Sequence, residues 1–139
     1  MAFWLFKSEP NTWGWADQVA RGAKGEHWDG VRNYQARNNL QLMTKGDRVF
    51  FYHSVTGKEI VGIAEVTREA YPDPTTDDSR WVVIDLKPIK SLVHPVSLEE
   101  IKIHKDLQEN ALVRQSRLSV MPITKKESQV ILKLGKTSI

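Results

Sequence analysis

Short apolar runs separated by turn residues predict most of the strands. Residues 3–7 (FWLFK) are aromatic-rich, which predicts a buried first strand, and Pro10 breaks it because proline cannot donate to a ladder. Residues 48–54 (RVFFYHS) form a second run. The tight turn TGKE leads from it into a third run, IVGIAEVTREAY, at 60–71. Two such runs around a short turn predict an antiparallel pair.

Three further features refine the sheet. Gly62 lies inside the third run, where glycine indicates a bulge or a close approach of the backbone. Residues 80–90 (RWVVIDLKPIK) are apolar on both faces at first and predict a central strand. A last short strand is expected at 118–120, stopped by Pro122.

Capping signals place the helices between and after these strands. Thr12 is expected to cap a helix over TWGWADQVARG that stops at Gly22. Two capping boxes begin C-terminal helices: Ser97 with Glu100, and Thr124 with Glu127 ahead of a helix that Gly135 ends. Hairpin-paired strands with helices in the connections predict an α+β domain around a small, strongly bent sheet or barrel.

Length and composition exclude several classes of protein. The 139 residues fit one domain, expected over 1–139. The chain has no cysteine, which excludes disulfides and thiolate metal sites and fits a reducing cytosol, so we expect a cytoplasmic location. No apolar run is long enough to span a bilayer, and the N-terminus lacks a signal-peptide pattern, so we expect no membrane partner.

Charge and tryptophan content raise the question of a polyanionic partner. The formal net charge is +3 and the pI is about 9.2, a mild bias that favours nucleic acid. The five tryptophans are Trp4, Trp13, Trp15, Trp28 and Trp81. Either most of them belong to the core, or one or two form a stacking wall, and composition leaves both interpretations open.

The segment WDGVRNYQARNNL at 28–40 is rich in amides and guanidinium groups. As a helix it would place Arg32, Gln35 and Asn39 on one face and Val31, Tyr34 and Asn38 on another. Amides read base edges, guanidinium groups bind phosphates, and Trp28 can stack on a base. The alternative is structural, with Trp28 in the core, Arg32 paired with a carboxylate and the amides bonded to local backbone.

Two other segments carry candidate functional groups. Lys7, Ser8 and Glu9 follow the first strand, where a scaffold fixes side chains that a loop exposes, although a plain turn explains them as well. The acid–base candidates are Lys7, Glu9 and Asp29. Residues 112–120 (LVRQSRLSV) add two arginines that suit an anionic backbone, or that blunt a solvated edge strand.

Motifs of catalysis, metal binding and phosphate binding are missing from the sequence. The histidines, at 27, 53, 94 and 104, lack the spacing of metal ligands, so we expect no metal and no cofactor. His53 and Ser54 are adjacent on a strand and point to opposite faces, so they cannot form a base–nucleophile pair. The chain has neither a nucleophile elbow nor a phosphate-binding glycine loop.

Seven blocks of sequence, in order along nearly the whole chain, resemble the EVE domain family of the PUA-like superfamily, in its stand-alone form. They are WLFKSEP (4–10), WDGVRNYQARNNL (28–40), KGDRVFFYHS (45–54), IVGIAEV (60–66), YPD (71–73), HPVSLEEIK (94–102) and RLSVMPI (117–123). The resemblance implies a PUA-like bent barrel or strongly curved mixed sheet with peripheral helices. It also implies a kinship with YTH domains, which read a methylated adenine in RNA. It therefore implies binding of a modified base, such as a modified cytosine, in DNA or RNA.

Carried over position by position, the resemblance implies a pocket drawn from four blocks. Its residues would be Trp4, Lys7, Ser8, Glu9, Trp28, Val31, Arg32, Asn33, Asn38, Tyr52, His53, Ser54, Leu118 and Ser119, with Arg117 beside them on the nucleic-acid backbone. In that arrangement Trp28 stacks on a flipped base and amides meet the edge of the base.

Two hypotheses from different classes follow. The first is a non-catalytic reader of a modified base, with modified DNA or RNA as its partner and no obligate protein partner. The second is a small enzyme that acts on RNA or a nucleotide through Lys7, Glu9 or His53. Many amides and rings, with few paired carboxylates and no nucleophile motif, favour the reader.

Overall fold

Two parallel strands form the centre of the structure, a computed structural model that describes residues 1–138. Strand β1 (Phe3–Ser8) runs beside β3 (Arg48–His53), from Phe3 opposite Arg48 to Ser8 opposite His53. Both strands bury consecutive side chains on both faces, as expected of central strands. Their fully buried rings, Phe6, Phe50 and Phe51, form the middle of the core.

Four more strands extend the sheet to both sides. Strand β4 (Glu59–Pro72) pairs antiparallel with β3, and β5 (Val82–Ser97) pairs antiparallel with β4. The short β2 (Glu26–His27) adds to β5, and β6 (Val120–Ile123) adds to β1. The order is therefore β2-β5-β4-β3-β1-β6. Within residues 1–138 the two outer strands do not pair, so the mixed sheet is open rather than a closed barrel.

Irregular pairing between β4 and β5 curves the sheet. The register shifts at several points, including between Ile60 and Gly62, and such bulges bend and twist a strand. The bulge expected at Gly62 is confirmed by the shift between Ile60 and Gly62, and a Cβ at Gly62 would lie 2.2 Å from the ring of Trp15, which is a side chain and not backbone. The strand expected at 80–90 is also confirmed, since β5 pairs on both sides.

Helices surround this sheet, and the structure confirms both capping boxes. The side chains of Ser97 and Thr124 accept hydrogen bonds from the backbone N–H groups three residues later, and Gly135 ends the last helix. The α-helices of the described chain are α1 (Pro10–Trp13), α2 (Trp15–Arg21), α3 (Tyr34–Leu42), α4 (Leu98–Ile103), α5 (Ala111–Arg114) and α6 (Lys125–Leu134). None of the helices described is long and apolar enough to cross a membrane.

The first helical segment differs from the prediction. One helix capped by Thr12 was expected, but the chain forms α1, with Pro10 in its first turn, and then α2. Gly14 separates the two with an extended backbone (φ −93°, ψ 174°). Glu9 occupies the N-cap position of α1, so Thr12 lies inside the helix, while the predicted end at Gly22 is confirmed.

The segment 28–40 is helical only in its second half. Asn33 is the N-cap of α3, with extended backbone, and its Oδ1 accepts a hydrogen bond of 2.9 Å from the N–H of Ala36. The predicted helical faces are therefore wrong for Val31 and Arg32, which precede the helix in an extended loop. Asparagine begins the helix here because its side chain competes for backbone donors, which favours caps over helix interiors.

The last strand also differs from its predicted bounds. A strand at 118–120 that stopped at Pro122 was expected, but β6 contains Pro122, opposite Trp4 of β1. Strand β6 lies at the edge of the sheet, where a proline need not donate to a neighbour. The predicted α+β class, with a curved mixed sheet and peripheral helices, is confirmed.

Candidate functional site

An open cleft of about 530 Å³ lies where β1 ends, and we call it the aromatic cleft. Three stretches of chain and one separate side chain form it. They are the end of β1 with α1 (Lys7, Ser8, Glu9, Thr12 and Trp13), β2 with the following loop (Glu26, His27, Trp28, Asp29, Gly30, Val31 and Arg32), and Ser119. Its volume lies in the range of small-molecule sites.

Trp28 forms the aromatic wall of this cleft. Its ring contacts Phe6 edge-on, with centroids 5.0 Å apart, and Phe51 at 5.5 Å and 88°. Its backbone N–H donates to the carbonyl of Ile84 at 2.8 Å, which ties the loop to β5. The indoles of Trp4, Trp13 and Trp15 donate to other side chains, whereas the structure gives the indole N–H of Trp28 no partner among residues 1–138. Core rings therefore hold Trp28 in place while one side of it borders the cleft.

Asp73, from the YPD block, anchors the loop that carries Trp28. Its buried carboxylate accepts hydrogen bonds from the Gly30 N–H at 3.3 Å and from Arg32 Nη1 at 3.0 Å. Burial alone would raise the pKa of Asp73, but hydrogen bonds from Thr75, and then from Arg32 and Gly30, lower that pKa to about 2. The carboxylate is thus charged at neutral pH and fixes the backbone of residues 30–32.

Lys7 and Ser8 fix the opposite wall. Lys7 is half-buried, which lowers the pKa of its ammonium group, and its Nζ donates to the carbonyl of Ser116 at 2.6 Å. The Ser8 hydroxyl donates to the carbonyl of Trp13. Trp13 Nε1 donates to Gln18 at 3.0 Å, and Gln18 in turn donates to the carbonyl of Leu86 on β5. This chain of hydrogen bonds ties the second ring of the cleft to the sheet.

The remaining side of the cleft is acidic. His27 lies between two carboxylates, with its Nε2 3.0 Å from Asp29 Oδ2 and its Nδ1 3.2 Å from Glu26 Oε1. With Glu9, these carboxylates outnumber the cleft's two cationic side chains, Lys7 and Arg32. Among the described residues, no three histidine, aspartate or glutamate side chains converge in a way that could hold a metal ion.

The structure brings about half of the expected site residues together. The residues lining the aromatic cleft are Lys7, Ser8, Glu9, Trp28, Val31, Arg32 and Ser119. The acid–base candidate Asp29 joins them, and Thr12, Trp13, Glu26, His27 and Gly30 were missed. For Trp13 the tryptophan count was a signal, whereas Thr12 lies in α1, Glu26 and His27 form β2 and Gly30 lies in the following loop, and none of these four carries a local pattern of a binding residue.

Trp4 does not line the cleft, which corrects its expected place. It is 6% exposed, and its indole Nε1 donates to Asp47 Oδ2 at 3.0 Å. Trp4 and Phe6 share one face of β1 because side chains two apart point the same way. Phe6 lies behind Trp28, so Trp4 lies one repeat further from the open end.

The FYHS block lies behind the cleft rather than in it. Tyr52 is buried, which raises its pKa to about 12. His53 Nε2 accepts a hydrogen bond of 3.0 Å from the Trp15 N–H, and burial lowers the pKa of His53 against an opposing effect of Glu59. The Ser54 N–H donates to the carbonyl of Ser8. These residues support the end of β1, and His53 does not meet Lys7 and Glu9 in the cleft.

Four other expected residues lie beside the cleft, not in it. Asn33, Arg117 and Leu118 line a second, smaller hollow of about 320 Å³. Asn38 is exposed on α3, where its side chain accepts hydrogen bonds from the guanidinium group of Arg37. Since Asn33 caps α3, the amides expected at a base edge have mainly structural partners.

A curved mixed sheet with an open, ring-walled cleft at the end of its central strands defines an α+β domain of the PUA-like class. Comparison with known proteins makes the assignment specific. The chain belongs to the EVE domain family, because the EVE domain model matches residues 2–134.

Named relatives and solved structures support this assignment. The chain is 34% identical to thymocyte nuclear protein 1 of Mus musculus, over 97% of this chain and 74% of the relative. A crystal structure of an Agrobacterium tumefaciens protein matches with a TM-score of 0.97 at 43% identity, covering 99% of this chain and 94% of the other. A crystal structure of human THYN1 in complex with DNA containing 5-methylcytosine matches with a TM-score of 0.87 at 32% identity, covering 100% of each chain.

The expected kinship with YTH domains is seen at the level of the fold. The YTH domain of Zygosaccharomyces rouxii MRB1, solved with N6-methyladenosine RNA, matches with a TM-score of 0.58 at 18% identity. It covers 97% of this chain and 86% of the other. This likeness concerns the arrangement of strands and helices alone.

Proposed function

We propose that this protein is a non-catalytic nucleic-acid-binding domain that reads a modified base, in the first instance a modified cytosine, in DNA or RNA. The base would leave its stack and enter the aromatic cleft. The observation that carries the proposal is the match over the full length of both chains to human THYN1, solved with DNA containing 5-methylcytosine.

The geometry of the cleft supports this function. Trp28 presents a ring that Phe6 and Phe51 hold from behind, and stacking of a base on such a ring is worth about 1–3 kcal/mol. Val31 is an apolar residue of the lining, suited to contact a methyl group. Because a methyl group adds only about 1–3 kcal/mol in an apolar pocket, the preference for a modified base should be modest.

The expected site residues divide into three groups under this proposal. Lys7, Ser8, Glu9, Trp28, Val31, Arg32 and Ser119 would touch the flipped nucleotide, as would Trp13 and Thr12. Asn33, Arg117 and Leu118 would lie along the adjoining strand of nucleic acid. Trp4, Asn38, Tyr52, His53 and Ser54 would act only through the fold.

Binding without turnover is part of the proposal. The enzyme hypothesis required Lys7, Glu9 or His53 as acid or base, but Lys7 donates to the Ser116 carbonyl and His53 accepts from the Trp15 N–H. We further propose that residues 1–139 act as one domain without a cofactor. We also propose that the protein acts in the cytoplasm, although its mouse relative is named for the nucleus.

Calorimetric titration of matched oligonucleotides tests the function. Four short single strands, DNA and RNA with one central cytosine or 5-methylcytosine, are titrated into the protein under one salt condition. We expect the modified strand of one polymer to bind about 5- to 150-fold more tightly than its unmodified partner. Equal affinities in both polymers would contradict a cytosine reader, and cleaved or altered strands after incubation would favour the enzyme.

A further inference from the structure

The second hollow lies beside the aromatic cleft, and we call it the arginine hollow. It holds about 320 Å³ between the start of α3 and the segment 114–118. The groups that matter for binding are two guanidinium groups, of Arg114 and Arg117, and the amides of Asn33, Gln35 and Gln115. These groups donate hydrogen bonds, and guanidinium groups in particular fit phosphate oxygens.

The hollow and the cleft meet at two places along the chain, residues 32–33 and residues 118–119. Arg32 lines the cleft and Asn33 lines the hollow, while Ser119 lines the cleft and Leu118 lines the hollow. Consecutive Cα atoms are about 3.8 Å apart, so the two spaces adjoin. The hydrogen bond of 2.6 Å from Lys7 Nζ to the carbonyl of Ser116 crosses the same boundary. A strand with a nucleotide in the cleft can therefore continue directly into the hollow.

Charge distinguishes the two spaces. Carboxylates of Glu9, Glu26 and Asp29 border the cleft, whereas no carboxylate lines the hollow among residues 1–138. A phosphodiester is repelled by the acidic side of the cleft and attracted by the arginines. The charge pattern thus favours an exit of the strand on the side of the hollow.

The two arginines differ in how freely they can bind. Arg114 Nε donates to the carbonyl of Gln108 at 2.9 Å, and its Nη2 contacts Glu109 Oε1 at 2.8 Å. Arg117 is exposed, and in the described chain it has no ion pair. The Oδ1 of Asn33 caps α3, which leaves its amide N–H groups available to the hollow. Arg117 is therefore the main candidate for a direct phosphate contact.

We propose that the arginine hollow binds the phosphodiester group that joins the flipped nucleotide to its neighbour, so that the protein recognises a base together with one flanking phosphate. This inference rests on the proposed function of the aromatic cleft. It adds that the ligand is one strand of a polynucleotide, held on one side of the base, and not a free nucleoside.

A set of small ligands tests the inference. The protein is titrated with 5-methyl-2′-deoxycytidine, its 5′- and 3′-monophosphates, and an oligonucleotide with one 5-methylcytosine. We expect one of the two monophosphates, and the oligonucleotide, to bind more tightly than the nucleoside. In Arg117→Gln the oligonucleotide should lose about tenfold in affinity, the nucleoside should be unaffected, and the salt slope should fall by about 1.

A matched control and the contradicting results complete the test. Lys133→Gln removes one exposed charge from α6 and should leave every affinity and the melting temperature unchanged. If 5-methylcytosine is preferred but Arg117→Gln changes neither affinity nor salt slope, the inference fails and the reader function stands. If methylated and unmethylated strands bind equally and both lose tenfold in Arg117→Gln, the hollow holds phosphate but the reader function fails. If no oligonucleotide binds, both proposals are overturned.

Discussion

The aromatic cleft and the arginine hollow adjoin but are built in different ways. The ring of Trp28 lies against core rings, and the loop around it is fixed by hydrogen bonds that its backbone N–H groups donate to a carbonyl of β5 and to Asp73. The hollow is lined instead mostly by exposed polar side chains, from the start of α3 and from residues 114–117. A rigid wall suits the discrimination of one small group, and flexible cations suit a backbone common to every sequence. Changes in the cleft should therefore affect both selectivity and stability, and changes in the hollow only affinity.

The substitution Trp28→Ala should have the largest effect. It removes the ring on which the base is proposed to stack, so affinity for the modified strand should fall about 5- to 150-fold. The melting temperature should also fall, because contacts with Phe6 and Phe51 are lost. Calorimetry and thermal unfolding measure the two effects. Trp28→Phe keeps a ring and should retain most of the binding, so a complete loss in Trp28→Phe would contradict simple stacking.

Asp73→Asn tests whether the loop must be fixed for selectivity. The change removes the charge that binds Arg32 and weakens the bonds to Gly30, which should lower the free energy of unfolding by about 2 kcal/mol. The ratio of the affinities for the modified and the unmodified strand should fall, while the salt dependence of binding stays the same. Asp78→Asn, a matched loss of charge in the same loop, should leave the preference intact. A stable Asp73→Asn protein with full selectivity would show that the cleft does not depend on this anchor.

The stability of the loop anchor should also depend on pH. The pKa of Asp73 is about 2 in the folded protein and 3.8 when unperturbed, so the folded state favours the charged form. Its contribution of about 2 kcal/mol is complete above pH 4 and disappears as the pH falls toward 2. Urea unfolding of the wild-type protein and Asp73→Asn should differ most at pH 5 and least at pH 2. A difference in unfolding free energy that stayed constant from pH 5 to pH 2 would refute the lowered pKa of Asp73.

Neutralising the acidic side of the cleft should have the smallest effect on oligonucleotide affinity, and it should raise that affinity instead of lowering it. The double variant Glu26→Gln, Asp29→Asn should bind oligonucleotides about twofold more tightly at low salt, since two partly exposed like charges are removed. The gain in affinity should vanish at 1 M salt, because salt then screens charge interactions beyond about 3 Å. Asp77→Asn serves as the control. A lower oligonucleotide affinity in the double variant would mean that His27 and its carboxylates contact the ligand.

Much of the fold follows from local sequence signals. The capping boxes at Ser97 and Thr124 depend on neighbouring residues, and both were predicted, as was the bulge at Gly62. The burial of Trp4 was not predicted, because alternation assigns Trp4 to one face of the strand without saying which face is the core. Asparagine suits both a helix cap and a binding group, so the sequence did not show that Asn33 is the cap of α3.

The site was harder to predict because its parts are distant in sequence. Asp73 lies 41 residues from Arg32, and only the three-dimensional structure shows that the YPD block holds the loop of Trp28. Trp13 reaches the cleft because Gly14 divides the expected helix in two, which a helical pattern did not reveal. Local patterns thus identified chemical types and neighbours within a segment, whereas the family resemblance was needed to bring together residues 7–9, 28–32 and 119.

The contact between Gly62 and Trp15 limits which chains can share this architecture. A methyl group at position 62 would overlap the indole, whose carbons lie 2.2 Å from that point. Trp15 begins α2, and its Nε1 donates to Ser91 on β5, so the ring cannot simply move aside. A side chain at position 62 is therefore compatible only with a smaller residue at position 15, and a graft or redesign that replaces Gly62 must change Trp15 with it.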